Sequence, residues 1–271
     1  METKELQKIA LELRKDVARM IGVGKVGHLG GSCSLADIVT VLYYDVMKLD
    51  PHNPAMPERD RFVLSKGHAA LIQYAALGNL GFFPKDEEST LKCLGSRLQG
   101  HPDLRKLPGI EANTGSLGQG ISMAAGMAAG LRLDGINARV YCCLGDGELA
   151  EGQVWEAVMS AGIFKLHNLI AIVDLNGLQA TGPVKERYDT SPYREKFEAF
   201  RWNVIELDGH DIDAIKAAFA LAKREPTRPT VLLAKTVKGK GFPFAENVVS
   251  FHNGALTHEQ LEQALSITEG A

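Results

Sequence analysis

The chain has 271 residues, of which 45% are hydrophobic and 23% are charged, a composition typical of a folded globular protein rather than a disordered or fibrous one. Its net charge of −3 lacks the basic excess that nucleic acids or membrane surfaces favour, so we expect neither as a partner. Glycine is over-represented, with 28 residues. Because there are only 11 prolines and no Gly/Ser linker, we attribute this excess to tight turns and to close approaches of the backbone.

The four cysteines form no C-x-x-C pair, which argues against a disulfide framework and against a zinc site. The longest uncharged stretch, Ala112–Leu131, contains Gln119 and five glycines, so we expect no membrane span. No charged n-region followed by an apolar h-region opens the chain. We therefore expect a soluble, cytoplasmic protein.

The first half of the chain predicts helices separated by glycine-rich loops. Apolar residues at three- and four-residue steps predict a helix from Met1 to Ile21 that stops at Gly22. Ser34, with Asp37 three residues later, resembles a capping box and predicts a second helix that begins there. The next predicted elements are a strand at Arg61–Leu64 and helices at Ala69–Leu80 and Ile121–Leu133.

The second half alternates between apolar runs and helical segments. The runs that predict strands are Arg139–Leu144, Asn168–Val173, Asn203–Leu207 and Thr230–Ala234. Helices are predicted between them at Val154–Ile163 and Ile212–Lys223. Strands alternating with helices of ten or more residues favour a parallel sheet with right-handed crossovers. We therefore predict an α/β fold, a doubly wound, mostly parallel sheet flanked by helices, as a single domain over residues 1–271.

Polar residues directly follow two of the predicted strands. Asp146 lies between Gly145 and Gly147, and Asn176 lies thirty residues later, after the next apolar run. Ligands of open parallel sheets bind outside the carboxyl ends of the strands, where these two side chains would meet. Carboxylate and amide oxygens suit a hard cation that carries a diphosphate, although Gly-Asp-Gly alone is also an ordinary β-turn sequence.

Other phosphate-binding and catalytic motifs do not occur. The chain has no G-x-x-x-x-G-K-[ST] loop, and Met123 stands where a third glycine would complete a dinucleotide fingerprint after Gly118 and Gly120. H-E-x-x-H and G-x-S-x-G are also missing from the sequence.

Histidines form the second group of candidate site residues. His28, His68 and His101 each follow a glycine directly, and His252 lies in another predicted loop. A single loop histidine is usually only solvated, but four in such loops indicate binding of phosphate or sugar hydroxyls, or proton relay near neutral pH.

Together these residues resemble the thiamine diphosphate-binding, N-terminal (PP-type) half of transketolase, from about Leu6 to Leu256. The motifs that carry the resemblance are Gly145-Asp146-Gly147 with Asn176, the glycine–histidine loops, and Thr114–Gly120. The resemblance implies thiamine diphosphate and Mg²⁺ as cofactors, with Ca²⁺ or Mn²⁺ as possible substitutes. It also implies transfer of a two-carbon ketol unit from a ketose phosphate to an aldose phosphate, in the pentose phosphate pathway.

The resemblance also implies roles for individual residues. Asp146, Asn176 and the backbone carbonyl of Leu178 would hold the metal, and Gly145 and Gly147 would contact the diphosphate. Further implied roles are contacts with the diphosphate and reacting carbon (His68, His252), with the hydroxyls of the donor sugar (His28, His101), with the cofactor rings (Gly115, Leu117) and with a subunit interface (Glu151).

Transketolases of this family carry two further domains, the pyrimidine-binding and C-terminal ones, for which we find no residues after His252. We therefore expect one subunit of a split enzyme, completed by a complementary C-terminal subunit in an α₂β₂ heterotetramer.

Three alternatives remain open from the sequence. The chain could belong to a transketolase-like enzyme for a non-standard ketose phosphate, whose distal groups would be recognised by the partner. It could be the α subunit of a 2-oxo acid dehydrogenase, although that chemistry has less need of several histidines. It could also be a cofactor-binding subunit without catalytic activity.

Overall fold

The computed structural model describes residues 1–268, and its centre is a parallel sheet. The strands of this sheet are Arg61–Leu64 (β1), Val140–Gly145 (β2), Leu169–Leu175 (β3), Asn203–Asp208 (β6) and Thr230–Lys235 (β7). Two short strands, Leu178–Gln179 (β4) and Gly182–Pro183 (β5), form a separate antiparallel pair. The main sheet has the order β1-β2-β3-β7-β6 and every neighbouring pair is parallel. The predicted doubly wound fold is confirmed.

Helices cover both faces of the sheet. They are Thr3–Ile21 (α1), Leu29–Cys33 (α2), Ala36–Val41 (α3), Ala70–Leu80 (α4), Gln119–Leu133 (α5), Gly152–Ile163 (α6), Val184–Arg187 (α7), Tyr193–Ala199 (α8), Ile212–Arg224 (α9) and His258–Ser266 (α10). The predicted strands and long helices are present, and each of their ends lies within two residues of the predicted one.

The predicted capping box at Ser34 is wrong. Ser34 follows α2 rather than starting a helix, and its hydroxyl donates to the carbonyl of Gly31 at 3.2 Å and to Asp174 at 2.6 Å. The segment is divided into α2, α3 and a π-helical turn over Leu42–Val46. The Ser34 hydroxyl binds the buried carboxylate of Asp174, and this tertiary contact outweighs the local preference for a helix cap at this position.

Both faces of the sheet are buried, which explains why its strands read as continuous apolar runs. Along β2, Tyr141 and Cys143 pack into the core on the side of α1, α3, α4 and α9. Val140, Cys142 and Leu144 pack into the core on the side of α5 and α6. The alternation of side chains along each strand therefore divides the interior into two layers.

The register of the sheet brings the predicted site residues together. Gly145 of β2 pairs with Asp174 of β3, so that Asp146 and Asn176 follow neighbouring strands at the same edge. Ser65 and Lys66 follow β1 at this edge. All five strands of this sheet are parallel, so one edge of the sheet collects residues from positions distant in the sequence.

A buried ion pair connects α1 to α3. Arg14 donates two hydrogen bonds to the carboxylate of Asp37, and Nδ1 of His210 lies 2.8 Å from the same group. Burial alone would raise the pKa of Asp37, but the charge of Arg14 and the hydrogen bonds from His210 and Arg14 outweigh it and lower the pKa to about 2.

We expect the ionised carboxylate of Asp37 to stabilise the folded state and to lose this effect at acidic pH. Because its pKa is lower in the folded state than the ~3.9 of an unfolded chain, this contribution is complete above about pH 5 and is lost as the pH falls towards 2. The loss amounts to about 2 kcal/mol. Urea unfolding of the wild type and of Asp37→Asn between pH 5 and pH 2 measures it, and a constant difference between the two proteins would contradict the expectation.

Candidate active site

A cavity of about 370 Å³ opens at the carboxyl edge of the sheet. All predicted site residues line it except His101, which lies beside it, and Glu151, which is exposed on the surface. Residues that lie far apart in the sequence, from His28 to His252, therefore meet around one cavity.

Asp146 is held at the base of the cavity by the backbone. Its carboxylate accepts hydrogen bonds from the N–H of Gly147 at 2.8 Å and from the N–H of Gly177 at 2.5 Å. Burial and the nearby negative charge of Asp174 raise its pKa to about 6, against the effect of those two hydrogen bonds. A buried anion that is electrostatically unfavourable by itself is suited to a cation.

Asn176 is oriented by the fully buried carboxylate of Asp174. The amide Nδ2 donates to Asp174 at 2.9 Å, and the amide oxygen accepts the backbone N–H of Leu178 at 3.1 Å. Asp174 also accepts from Lys66, Ser34 and Thr236. Burial would raise the pKa of Asp174, but the charge and hydrogen bond of Lys66 and the two hydroxyl donors lower it.

The oxygens of Asp146, Asn176 and Leu178 make a chemically coherent set for a hard divalent cation. All three residues line the same cavity, and the Leu178 carbonyl also accepts from Lys238 at 3.0 Å. Within residues 1–268, no group of three or more His, Cys, Asp or Glu side chains is arranged to hold a metal. A set with one carboxylate, one amide and one carbonyl agrees with that finding, and its donor chemistry fits Mg²⁺.

Imidazole rings cluster over the cavity. The ring centroid of His28 lies 5.1 Å from that of His68, 5.5 Å from that of His252 and 6.2 Å from that of His101. The rings of His68 and His252 are 5.0 Å apart. The four loops, which are far apart in the sequence, are therefore neighbours in the structure.

The pKa values of these four histidines are all lowered, which favours the neutral imidazole. Burial, reinforced by neighbouring positive groups, lowers the pKa to about 4 for His28, about 2 for His68 and about 4 for His252. Burial and the charge of Lys92 also lower the pKa of His101. Neutral imidazoles can each donate one hydrogen bond and accept another, which suits groups that exchange protons with hydroxyls.

His101 is fixed by its surroundings at the rim of the cavity. The hydroxyl of Tyr74 donates to the His101 carbonyl at 3.1 Å. A Cβ at Gly115 would lie only 2.6 Å from Cδ2 of the His101 ring, and Gly115 has a φ of +142°. Glycine at position 115 therefore allows the loop to pack against this ring.

Sequence reasoning missed four charged residues around the cavity. Glu148 and Lys238 line it, Lys66 lies at its floor, and Asp174 lies behind Asn176. Lys66 and Lys238 both come shortly after a strand, so the same rule that identified Asp146 could have found them. The Nζ atom of Lys238 donates to the Leu178 carbonyl and lies 3.2 Å from Nδ1 of His252. Burial lowers the pKa of Lys238 to about 8.

No helix in the described part of the chain is long and apolar enough to cross a membrane.

The fold and the cavity define a class of α/β protein whose ligands bind at the carboxyl edge of a parallel sheet. Residues 7–268 match the family model described as "Transketolase, thiamine diphosphate binding domain". The chain belongs to this family, and the resemblance inferred from its motifs is confirmed.

Similar proteins include single subunits and longer chains. The 6-deoxy-6-sulfo-D-fructose transketolase subunit of Clostridium sp. is 44% identical over 98% of this chain and 96% of its own length. An apulose-4-phosphate transketolase subunit of Phocaeicola vulgatus is 38% identical, over 98% of this chain and 93% of its own length. The solved transketolase of Leishmania mexicana is 32% identical with a TM-score of 0.91, covering 97% of this chain and 41% of the longer one.

Proposed function

We propose that the protein is the thiamine diphosphate- and metal-binding subunit of a split transketolase that moves a two-carbon ketol unit from a ketose phosphate to an aldose phosphate. The observation that carries this proposal is the convergence of four imidazoles at one cavity whose base holds the Asp146 and Asn176 oxygens. A reaction with several proton transfers to and from sugar oxygens needs such groups.

The proposed roles are those that the family resemblance implies, and the position of each residue around the cavity supports them. Asp146, Asn176 and the Leu178 carbonyl would hold Mg²⁺, with Ca²⁺ or Mn²⁺ as possible substitutes, and the backbone of Gly145 and Gly147 would face the diphosphate. When bound, thiamine diphosphate supplies the electron sink for cleavage of a carbon–carbon bond. The protein supplies orientation, proton positions and exclusion of water.

The histidines divide into two pairs in this proposal. His68 and His252 lie nearer the buried cations Lys66 and Lys238, which supports a role beside the diphosphate and the reacting carbon. His28 and His101 would bind hydroxyls of the donor sugar and take part in proton transfer to and from the sugar oxygens. The Nδ1 atom of His28 is buried and has no hydrogen-bond partner among the described residues, which supports a bound hydroxyl there.

The partner is a complementary C-terminal subunit with the pyrimidine-binding half of the site, in an α₂β₂ assembly. Two relatives named as transketolase subunits match this chain over nearly their whole lengths, and this supports residues 1–271 as one thiamine diphosphate-binding domain that works with a separate subunit. Gly115 and Leu117 would line the cofactor rings, and the exposed Glu151 would lie at the interface. Four free thiols support a cytoplasmic location.

A transketolase for a modified ketose is the second candidate. It is favoured by the substrates printed in the names of the two subunit relatives, a sulfofructose and apulose 4-phosphate. A standard donor such as xylulose 5-phosphate would instead place the enzyme in the pentose phosphate pathway.

The decisive experiment uses the chain reconstituted with its complementary subunit. We expect ketol transfer from xylulose 5-phosphate or from a modified ketose to an aldose phosphate, dependent on thiamine diphosphate and Mg²⁺. Turnover of pyruvate instead would favour a 2-oxo acid dehydrogenase subunit. Cofactor binding without any turnover would favour a non-catalytic subunit, and full transfer activity by the isolated chain would contradict the split arrangement.

Removal of the His101 ring should separate chemistry from cofactor binding. In His101→Ala we expect kcat/KM for ketol transfer to fall by about 100-fold, the usual effect of losing one proton-transfer group. The Kd for thiamine diphosphate should stay within about threefold, because His101 lies outside the metal and diphosphate contacts. Steady-state kinetics and calorimetric titration measure the two quantities. The exposed His167 provides the matched control, His167→Ala, which should change neither.

A further inference from the structure

The carboxylate of Glu148 joins three separate parts of the chain. Glu148 lies two residues after Asp146 in a short 3₁₀ turn and is only 2% exposed. Its Oε1 accepts the hydroxyl of Ser65 at 2.5 Å and the backbone N–H of Gly118 at 2.8 Å. Its Oε2 accepts the backbone N–H of Gly145 at 3.0 Å.

Each of these donors marks the end of an element that shapes the cavity. Ser65 directly follows β1, and Gly145 is the last residue of β2, directly before Asp146. Gly118 ends the loop that carries Gly115 and Leu117, and it precedes α5 with a φ of +82°. One side chain therefore connects the loop on one wall of the cavity to the strand end that carries the candidate metal ligand.

The connection depends on a group that only accepts hydrogen bonds. Three donors converge on two oxygens, and Gly118 has no side chain to fix the start of α5. Leaving a buried N–H without an acceptor destabilises the fold. The three donors and the Glu148 carboxylate therefore hold one another in position.

We propose that Glu148 is a positioning residue that fixes the separation between the two ends of the cofactor site, the Gly115–Gly118 loop and the Gly145–Gly147 turn. This inference rests on the proposed function for its ligand, since the loop would line the cofactor rings and the turn would face the diphosphate. Glu148 itself would touch neither the cofactor rings nor the diphosphate, because both of its carboxylate oxygens already accept hydrogen bonds from the protein.

The first test needs no cofactor. Glu148→Gln keeps the size of the side chain but turns an NH₂ group towards at least one of the three donors. We expect backbone hydrogen exchange at Gly118 or Gly145 to become roughly tenfold faster or more, with exchange in β3 and β7 unchanged. Ser65→Ala is the matched control, since it removes one donor and leaves both glycine bonds, and it should alter exchange at the glycines by less than about threefold.

The second test compares two ligands in the reconstituted complex at saturating Mg²⁺. Thiamine diphosphate spans both ends of the proposed site, whereas inorganic pyrophosphate contacts only the turn. In Glu148→Gln we expect the Kd for thiamine diphosphate to rise at least about tenfold and the Kd for pyrophosphate to change less than about threefold. Glu148→Asp, which keeps the charge but cannot span the same distance, should behave like Glu148→Gln.

The outcomes separate this inference from the proposed function. Unchanged exchange at both glycines, or an equal loss of affinity for both ligands, would overturn the role of Glu148. If the glycines respond as expected but the wild-type complex binds no thiamine diphosphate, the proposed cofactor is wrong while the connection through Glu148 stands.

Discussion

Replacement of Asp146 by alanine is expected to weaken Mg²⁺-dependent binding of thiamine diphosphate by about 100-fold or more. Asp146 is the one carboxylate in the proposed oxygen set, and a hard cation loses most from the loss of its charged ligand. Calorimetric titration of the reconstituted complex with thiamine diphosphate, at fixed excess Mg²⁺, measures the effect. The exposed Asp134 provides a control variant, Asp134→Ala, whose affinity should equal that of the wild type.

The conservative variant Asp146→Asn separates binding from folding. Burial and the charge of Asp174 disfavour the ionised carboxyl in the ligand-free protein, as the raised pKa of Asp146 indicates. We therefore expect Asp146→Asn to lose cofactor affinity while the free energy of unfolding of the ligand-free chain stays the same or rises. A variant that binds the cofactor normally would remove Asp146 from the metal site.

Replacement of Asp174 by alanine is expected to lower the free energy of unfolding by about 3–5 kcal/mol, the usual cost of removing one partner of a buried ion pair. Lys66, which is 2% exposed, would keep a positive charge without its partner. Thr236, Ser34 and Asn176 would also lose an acceptor. Urea unfolding of the ligand-free chain measures the loss.

Two comparisons show whether the ion pair is the cause. In the double variant Lys66→Met with Asp174→Ala, the loss should be smaller than the sum of the single losses, because no unpaired charge remains buried. The exposed pair of Arg194 and Glu198 offers a surface control, and Glu198→Ala should change stability by less than about 0.5 kcal/mol. Additive losses at Lys66 and Asp174 would show that their contact is not the source of the stability.

The sheet could be predicted because its strands are buried on both faces. Runs such as Asn168–Val173 have no polar alternation, and that pattern belongs to parallel sheets with helices on both sides. Once the sheet was predicted, the shared edge of its strands was enough to bring Asp146 and Asn176 together. This part of the site follows from topology and needs no knowledge of side-chain contacts.

The remaining parts depend on contacts that no local pattern encodes. Ser34 fits a capping box in the sequence, but the buried carboxylate of Asp174, 140 positions away, binds its hydroxyl instead. Glu148 belongs to no motif that we recognised, and its contacts with Gly118 and Ser65 arise only after three elements have packed. Long-range hydrogen bonding decided both positions, and sequence reasoning has no access to it.

The four-donor environment of Asp174 has a consequence for how this protein can change by mutation. The same carboxylate neutralises a lysine in the interior and sets the direction of the Asn176 amide. Fold stability and the affinity of the proposed metal site are therefore coupled at this position, and a substitution that alters one should alter the other. Relatives adapted to new sugars should diversify elsewhere on the cavity wall and leave this aspartate unchanged, and an alignment of such enzymes would test that constraint.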